Sequence, residues 1–147
     1  MATSMVYQPG FIDTNIWLYA FISGQDPGKA QIAQALIAAT RPLFLSVQVV
    51  NEVCTNLLRK EHTPEADIRN FIDDFYALYQ VVNLDHAQLI MASDLRVRYS
   101  LSYWDSLIIA SALHSGVPTL YSEDMQHHLV IDQKLRIVNP FLKGSSC

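Results

Sequence analysis

Positive charge is scarce in this 147-residue chain. Lys and Arg number 10 against 14 Asp and Glu, for a formal net charge of −4, and all charged residues together make up 16% of the chain. A balance this acidic does not hold a polyanion by electrostatics alone. If the chain acts on one, cations must mask its acids, or a partner or local patch must supply positive charge. Cysteine is nearly missing too. Cys54 and Cys147 make neither a disulfide framework nor a zinc site by themselves. Cys54 falls on the apolar side of a predicted helix and reads as a core thiol; Cys147, the last residue, reads as exposed. A reducing compartment suits both, so a cytoplasmic location is expected. No uninterrupted apolar run approaches the roughly 18 residues of a membrane span, and no basic stretch followed by a long apolar run marks a secretory leader. Neither GxxxxGK[ST] nor GxGxxG occurs, which removes the P-loop and dinucleotide-binding classes. No internal repeat or low-complexity tract is present.

Half of the residues are hydrophobic, enough for a folded chain rather than a disordered one. The length fits one domain, residues 1–147, burying about two-thirds of its unfolded surface; residues 143–147 read as a frayed tail. After a lead-in closed by Pro9-Gly10, a first strand spans about 10–14 and a short helix or turn follows from Ile16. Asp26-Pro27 starts a helix, with Asp26 as N-cap and Pro27 at its first position, and Arg41-Pro42 ends it. Leu43-Phe44-Leu45 is a buried strand. Ser46 caps a helix over 47–60, where Val49, Val50, Val53, Cys54, Leu57 and Leu58 form an apolar stripe. Thr63 caps a helix begun by Pro64 that runs to about Tyr79. Val81 to Leu84 is a strand, and Asp85 caps a helix to about Tyr99. Ser102 caps one over 103–115 that is apolar on most sides, hence buried, and Gly116 closes it. Pro118–Ser122 and Arg136–Asn139 are strands, with a loop or one helical turn over 125–133. Strands alternating with helices predict an α/β fold, a mainly parallel sheet with helices on both faces.

Four acids occupy comparable places in that order. Asp13 ends the first strand, in GFIDTN. Glu52 lies about two turns into the helix after the second strand, Asp105 in the first turn of the buried helix, and Asp124 just past the tip of the 118–122 strand. In a parallel sheet, strand ends and the helix starts that follow them share one edge, where ligands bind. Crowded carboxylates repel and take up protons, a cost that a hard cation removes, and carboxylate oxygens are the preferred ligands of Mg²⁺ and Mn²⁺. Such a cation, with open positions, binds a phosphodiester oxygen and acidifies a water. An acidic pocket can cut an acidic polymer that way. Asp13 is expected to anchor the ion, with Glu52, Asp105 and Asp124 returned to it.

Each residue also has a plainer reading. Asp13-Thr14-Asn15 is a possible turn or cap, Glu52 a solvated helix acid, Asp105 a first-turn acid that favours the helix dipole, and Asp124 a turn residue. Glu123 competes with Asp124. Thr14, Asn15, Asn51 and Ser122 flank the acids as supporting or capping groups. Tyr103-Trp104 suits either base stacking or packing at the rim. His127-His128 reads as surface, since adjacent helical residues point apart. Arg59-Lys60 and Arg96/Arg98 are the local candidates for phosphate contact.

On these residues the sequence resembles a PIN-domain ribonuclease, and within that family a VapC-type toxin. The matching pieces are FIDTN (Phe11–Asn15), SVQVVNEV (Ser46–Val53), YWDSLIIASAL (Tyr103–Leu113) and LYSEDM (Leu120–Met125), in the family's order and spacing. The resemblance implies a three-layer α/β/α sandwich with a central parallel sheet and Mg²⁺- or Mn²⁺-dependent cleavage of RNA. It carries the four acids to Asp13, Glu52, Asp105 and Asp124, and this selects Asp124 over Glu123. Asp13 and Asp105 would be the closest metal ligands, with Thr14, Asn15 and Ser122 supporting. A homodimer and a cognate antitoxin that covers the site are also implied. Many relatives have a further acid two residues beyond the fourth; here that place holds Gln126. The competing reading is a non-catalytic α/β interaction or receiver-like module. A receiver needs an acidic pair at the first strand tip, and Phe11-Ile12 precedes Asp13 instead.

Overall fold

A computed structural model describes residues 6–22 and 26–142. The elements are β1 (Gln8–Ile12), α1 (Thr14–Phe21), α2 (Pro27–Ala39), β2 (Thr40–Ser46), α3 (Val47–Lys60), α4 (Glu65–Leu78), β3 (Gln80–Val82), α5 (His86–Tyr99), α6 (Tyr103–Ser115), β4 (Thr119–Tyr121), β5 (Val130–Ile131) and β6 (Leu135–Val138). Local signals account for most of these boundaries. The Asp26 carboxylate accepts the Lys29 N–H and Pro27 opens α2. Ser46 accepts from the Val49 amide at the start of α3. Asp85 and Gln88 form a reciprocal capping box at the start of α5. Ser102 accepts the Asp105 N–H, and Gly116, at φ 79°, ends α6 in the left-handed region where a side chain would be strained.

The sheet has the order β3-β2-β1-β4-β6-β5. All neighbours are parallel except β5 and β6. From β1 the chain steps outward to β2 and β3, then crosses back to lay β4 on the other side of β1. The order therefore reverses between β1 and β4, and in open α/β sheets the crevice beyond the strand ends at such a reversal is the ligand site. Phe11 and Ile12 are both fully buried. Consecutive strand residues point to opposite faces, so β1 is covered on both. Helix α1 packs on α2 and α3, and α3 on α4; α5 packs on α6, which lies against β2 and β4. This is the expected layered α/β architecture.

One glycine is required by packing. A Cβ at Gly10 would lie 2.9 Å from Tyr121 Cε2 and 3.1 Å from Thr40 Cγ2, so β1 sits this close to its neighbours only with hydrogen at that position.

Several expected boundaries differ in the structure: β1 runs from Gln8 to Ile12, and Arg41-Pro42 lies inside β2 instead of ending a helix. Pro64, not Thr63, is the N-cap of α4, and no side chain caps that end. The loop over 125–133 contains β5, which pairs antiparallel with β6. The expectations of a frayed tail at 143–147 and an exposed Cys147 fall outside the described residues. Among the described residues no helix is long and apolar enough to cross a membrane.

Candidate active site

Strand pairing sets the first anchor. The register pairs Ile12 with Tyr121, and one step further the Asp13 amide donates to the Tyr121 carbonyl, 3.0 Å. Asp13 and Ser122 thus leave adjacent strand tips side by side, and Ser122 Oγ donates to Asp13 Oδ2, 2.9 Å. The other Asp13 oxygen accepts the Thr14 N–H at 2.8 Å, capping α1. The plain reading of Asp13 as a helix cap is therefore correct, and the same residue also lines the pocket described below.

The remaining acids come from three other segments. Glu52 reaches the site from α3: Thr14 Oγ1 donates to its Oε2 at 2.6 Å, and Gln48 Nε2, one turn earlier, to its Oε1 at 2.9 Å. Asp105 stands in the first turn of α6. Asp124 follows β4 and accepts from Asn15 Nδ2 at 2.5 Å. Asp13, Glu52, Asp105 and Asp124 line one pocket of about 230 Å³, together with Thr14, Asn15, Gln48 and Trp104. Glu123 turns elsewhere. It pairs with Lys29 and accepts from Tyr19 Oη at 2.9 Å.

Electrostatics follow from this placement. Burial pushes the Asp13 carboxyl up to about 6 from its usual 3.8. The Glu52 and Asp105 charges act in the same direction, and the Thr14 and Ser122 hydrogen bonds oppose it. Asp124 is also raised, by burial first and then by the charges of Glu123 and Asp105, against the pull of Asn15 and Lys29. Every hydrogen bond described for the four side chains comes from a neutral donor. Among the described residues none of the four stands in an ion pair; the paired acids are Glu123, Asp94 and Asp132. The pocket therefore gathers negative charge with no cationic side chain among its described lining residues, and that donor set is the one a hard divalent cation fits. The acids line the pocket without closing into a cage: among the described residues no three Asp, Glu, His or Cys side chains form a ready-made metal cluster.

Other candidates fall away from the pocket. His127 Nδ1 accepts the Asn139 N–H at 2.9 Å, and burial and the neighbouring His128 push its pKa down. It fastens the loop between β4 and β6. Arg98 is held by Asp94 and Asp132. Arg96 donates to Ser106 Oγ and lies 4.6 Å from the Tyr103 ring centre. Arg59 and Lys60 end α3, about 10 Å along the helix beyond Glu52. Sequence reasoning passed over Gln48, although its spacing of four from Glu52 was the available signal.

Comparison with known proteins agrees with the architecture. A family model described as PIN domain matches residues 10–130. No curated protein sequence matches the chain. Among solved structures, a toxin–antitoxin complex from Klebsiella pneumoniae superposes with a TM-score of 0.66 at 21% identity, covering 90% of this chain and 98% of that one. VapC20 of Mycobacterium tuberculosis, a toxin that cleaves the sarcin-ricin loop, gives 0.62 at 22% identity, covering 76% and 86%. VapBC2 from Rickettsia felis, bound to a fragment of its promoter DNA, gives 0.61 at 16% identity, covering 90% and 100%. At these identities the structures speak for the fold, and the family model spans most of the chain, from within β1 to the start of β5. The chain belongs to the PIN-domain family.

Proposed function

We propose that the chain is a divalent-metal-dependent endoribonuclease, working with Mg²⁺ or Mn²⁺, and the toxin of a toxin–antitoxin pair. One observation carries the reading. Carboxylates from four separated segments line one small pocket at the β1/β4 reversal, three of them held by neutral donors, with no cationic side chain among the described lining residues. Family membership supports it, as does the RNA-cleaving activity of the VapC20 toxin. The RNA substrate, a cognate antitoxin protein that covers the site, a homodimer and a cytoplasmic setting belong to the same proposal.

In this reading Asp13 and Asp105 hold the ion most directly, and Glu52 and Asp124 complete its surroundings. When bound, the ion supplies positive charge to a phosphodiester oxygen and acidifies a water. The protein's part is placement. Ser122 and the Thr14 amide fix the two Asp13 oxygens, and Thr14 and Gln48 hold Glu52 from either side. Asn15 steadies Asp124, the acid on the exposed side of the pocket and so the one placed to exchange a proton with solvent.

The test uses purified chain and a mixed RNA pool with Mg²⁺, Mn²⁺ or chelator. Cleavage should require the metal and fall at least about 100-fold in Asp13→Asn, as expected when a group essential to transition-state charge is lost. Equal cutting by wild type and variant, or cutting in chelator, would overturn the proposal.

A further inference from the structure

Next to the acidic pocket lies a second, more open cavity of about 530 Å³, lined by Gln48, Asn51, Glu52, Leu84, Trp104 and Leu107. It shares Gln48, Glu52 and Trp104 with the acid pocket, so the two adjoin, with these three side chains between them. Its chemistry differs from its neighbour's. Leu84, Leu107 and the Trp104 indole line it with apolar surface, and Gln48 and Asn51 contribute carboxamides.

Trp104 is unusual in its setting. It is 62% exposed, and Tyr103 beside it 50%, a large exposure for the bulkiest aromatic residue. Yet the ring is not left to wander. Tyr103 meets it edge-on, with centroids 5.1 Å apart and planes at 83°. The Arg96 guanidinium lies over Tyr103, and Arg96 Nη1 donates to Ser106 Oγ, which in turn donates to the Tyr103 carbonyl. An exposed ring anchored through its neighbour presents a preorganised face, which lowers the ordering cost of binding a planar partner. Exposure here is therefore not explained by core packing; the Tyr103–Arg96 contacts hold the ring beside the cavity.

We propose that this cavity is the subsite for a single unpaired RNA base flanking the scissile phosphate, stacked on Trp104 and read at its edge by the Asn51 and Gln48 carboxamides. The inference rests on the nuclease reading for the position of the phosphate and adds the place of the neighbouring base, which is unpaired because a paired one offers neither a free face nor a free edge. Stacking requires no positive charge, which suits a chain with few cations to spare. The Gln48 amide nitrogen is engaged by Glu52, leaving its carbonyl to accept from a base amino group, whereas the Asn51 carboxamide is exposed and offers both a donor and an acceptor.

The experiment uses the two tryptophans as a built-in control. Trp17 is fully buried in the core, so quenching by added ligand reports Trp104. The full chain is titrated with an unstructured octaribonucleotide, and with the same oligomer carrying abasic residues, in Mg²⁺ on ice; cleavage of the intact oligomer is then followed at working temperature. The proposal predicts quenching by the base-bearing oligomer and not by the abasic one. It predicts that Trp104→Ala raises KM about 5- to 100-fold, the range for loss of one stacked base, while Trp104→Phe stays within about threefold of wild type. It is overturned if the two oligomers quench alike, if Trp104→Ala cuts with unchanged KM, or if Trp104→Ala alters only the sedimentation of the free chain, which would assign the ring to a protein interface. Quenching without cleavage by wild type would sustain the base subsite and sink the nuclease reading; cleavage without base-dependent quenching would do the reverse.

Discussion

Asp13 is the residue on which charge and fold pull in different directions. Its carboxyl titrates near 6 rather than 3.8, so the native state holds this proton more tightly than the unfolded chain. The associated stability is complete below about pH 4 and is lost as pH rises through about 6. Without divalent cations, the ionised group costs the fold on the order of 3 kcal/mol at neutral pH. In chelator, Asp13→Asn should therefore melt about 6–12 °C higher than wild type at pH 7.5 and with little difference at pH 4; a lower melting temperature at pH 7.5 would contradict the account. Glu123 and Asp124 make a second comparison. Because Glu123 is occupied by Lys29 and Tyr19 while Asp124 lines the pocket, Asp124→Asn should lower kcat on RNA at least about tenfold, as loss of a positioned acid or base does. Glu123→Gln should leave kcat within about threefold and show its effect in thermal melts. The reverse ranking in steady-state kinetics would exchange the two residues.

Among the elements, β1 has the least tolerance, because it lies between β2 and β4 and delivers Asp13. Gly10→Val would force side-chain atoms into Tyr121 and Thr40 and should cost about 1–3 kcal/mol, the usual range for overpacking. Urea unfolding measures this, and an unchanged midpoint would mean the strands have room that the structure denies them. This strand was legible in the sequence from Pro9-Gly10 and the apolar pair before Asp13, though placed two residues late. Helices α3, α5 and α6 were legible to the residue because Ser46, Asp85, Ser102 and Gly116 mark their ends chemically. Strand β5 was not: Val130-Ile131 has two residues, too few to show a period, and its pairing with β6 is a tertiary event. The convergence of the acids could be argued from strand order, but the choice of Asp124 over Glu123 rested on resemblance. Lys29, which draws Glu123 away, is 94 residues distant, and no local pattern announces it.

For the molecule as a whole, a net charge of −4 limits how it can engage RNA. Few phosphates can be neutralised by its own side chains, and the salt dependence of binding follows the number neutralised. Between 50 and 200 mM salt at fixed Mg²⁺, affinity for an unstructured oligoribonucleotide should fall less than about tenfold, compared with the 10³–10⁵ expected for 6–10 phosphate contacts. Fluorescence anisotropy reads the slope, and one that steep would contradict this limit.

The account depends most on the acids acting together on one ion, and calorimetric titration with Mn²⁺ addresses that without any substrate. Wild type should show a saturable site, weakened at least about tenfold in each of Asp13→Asn and Asp105→Asn, the scale on which ligand-shell changes act, with the circular dichroism of both variants unchanged. Identical Mn²⁺ isotherms for wild type and the two folded variants would contradict it.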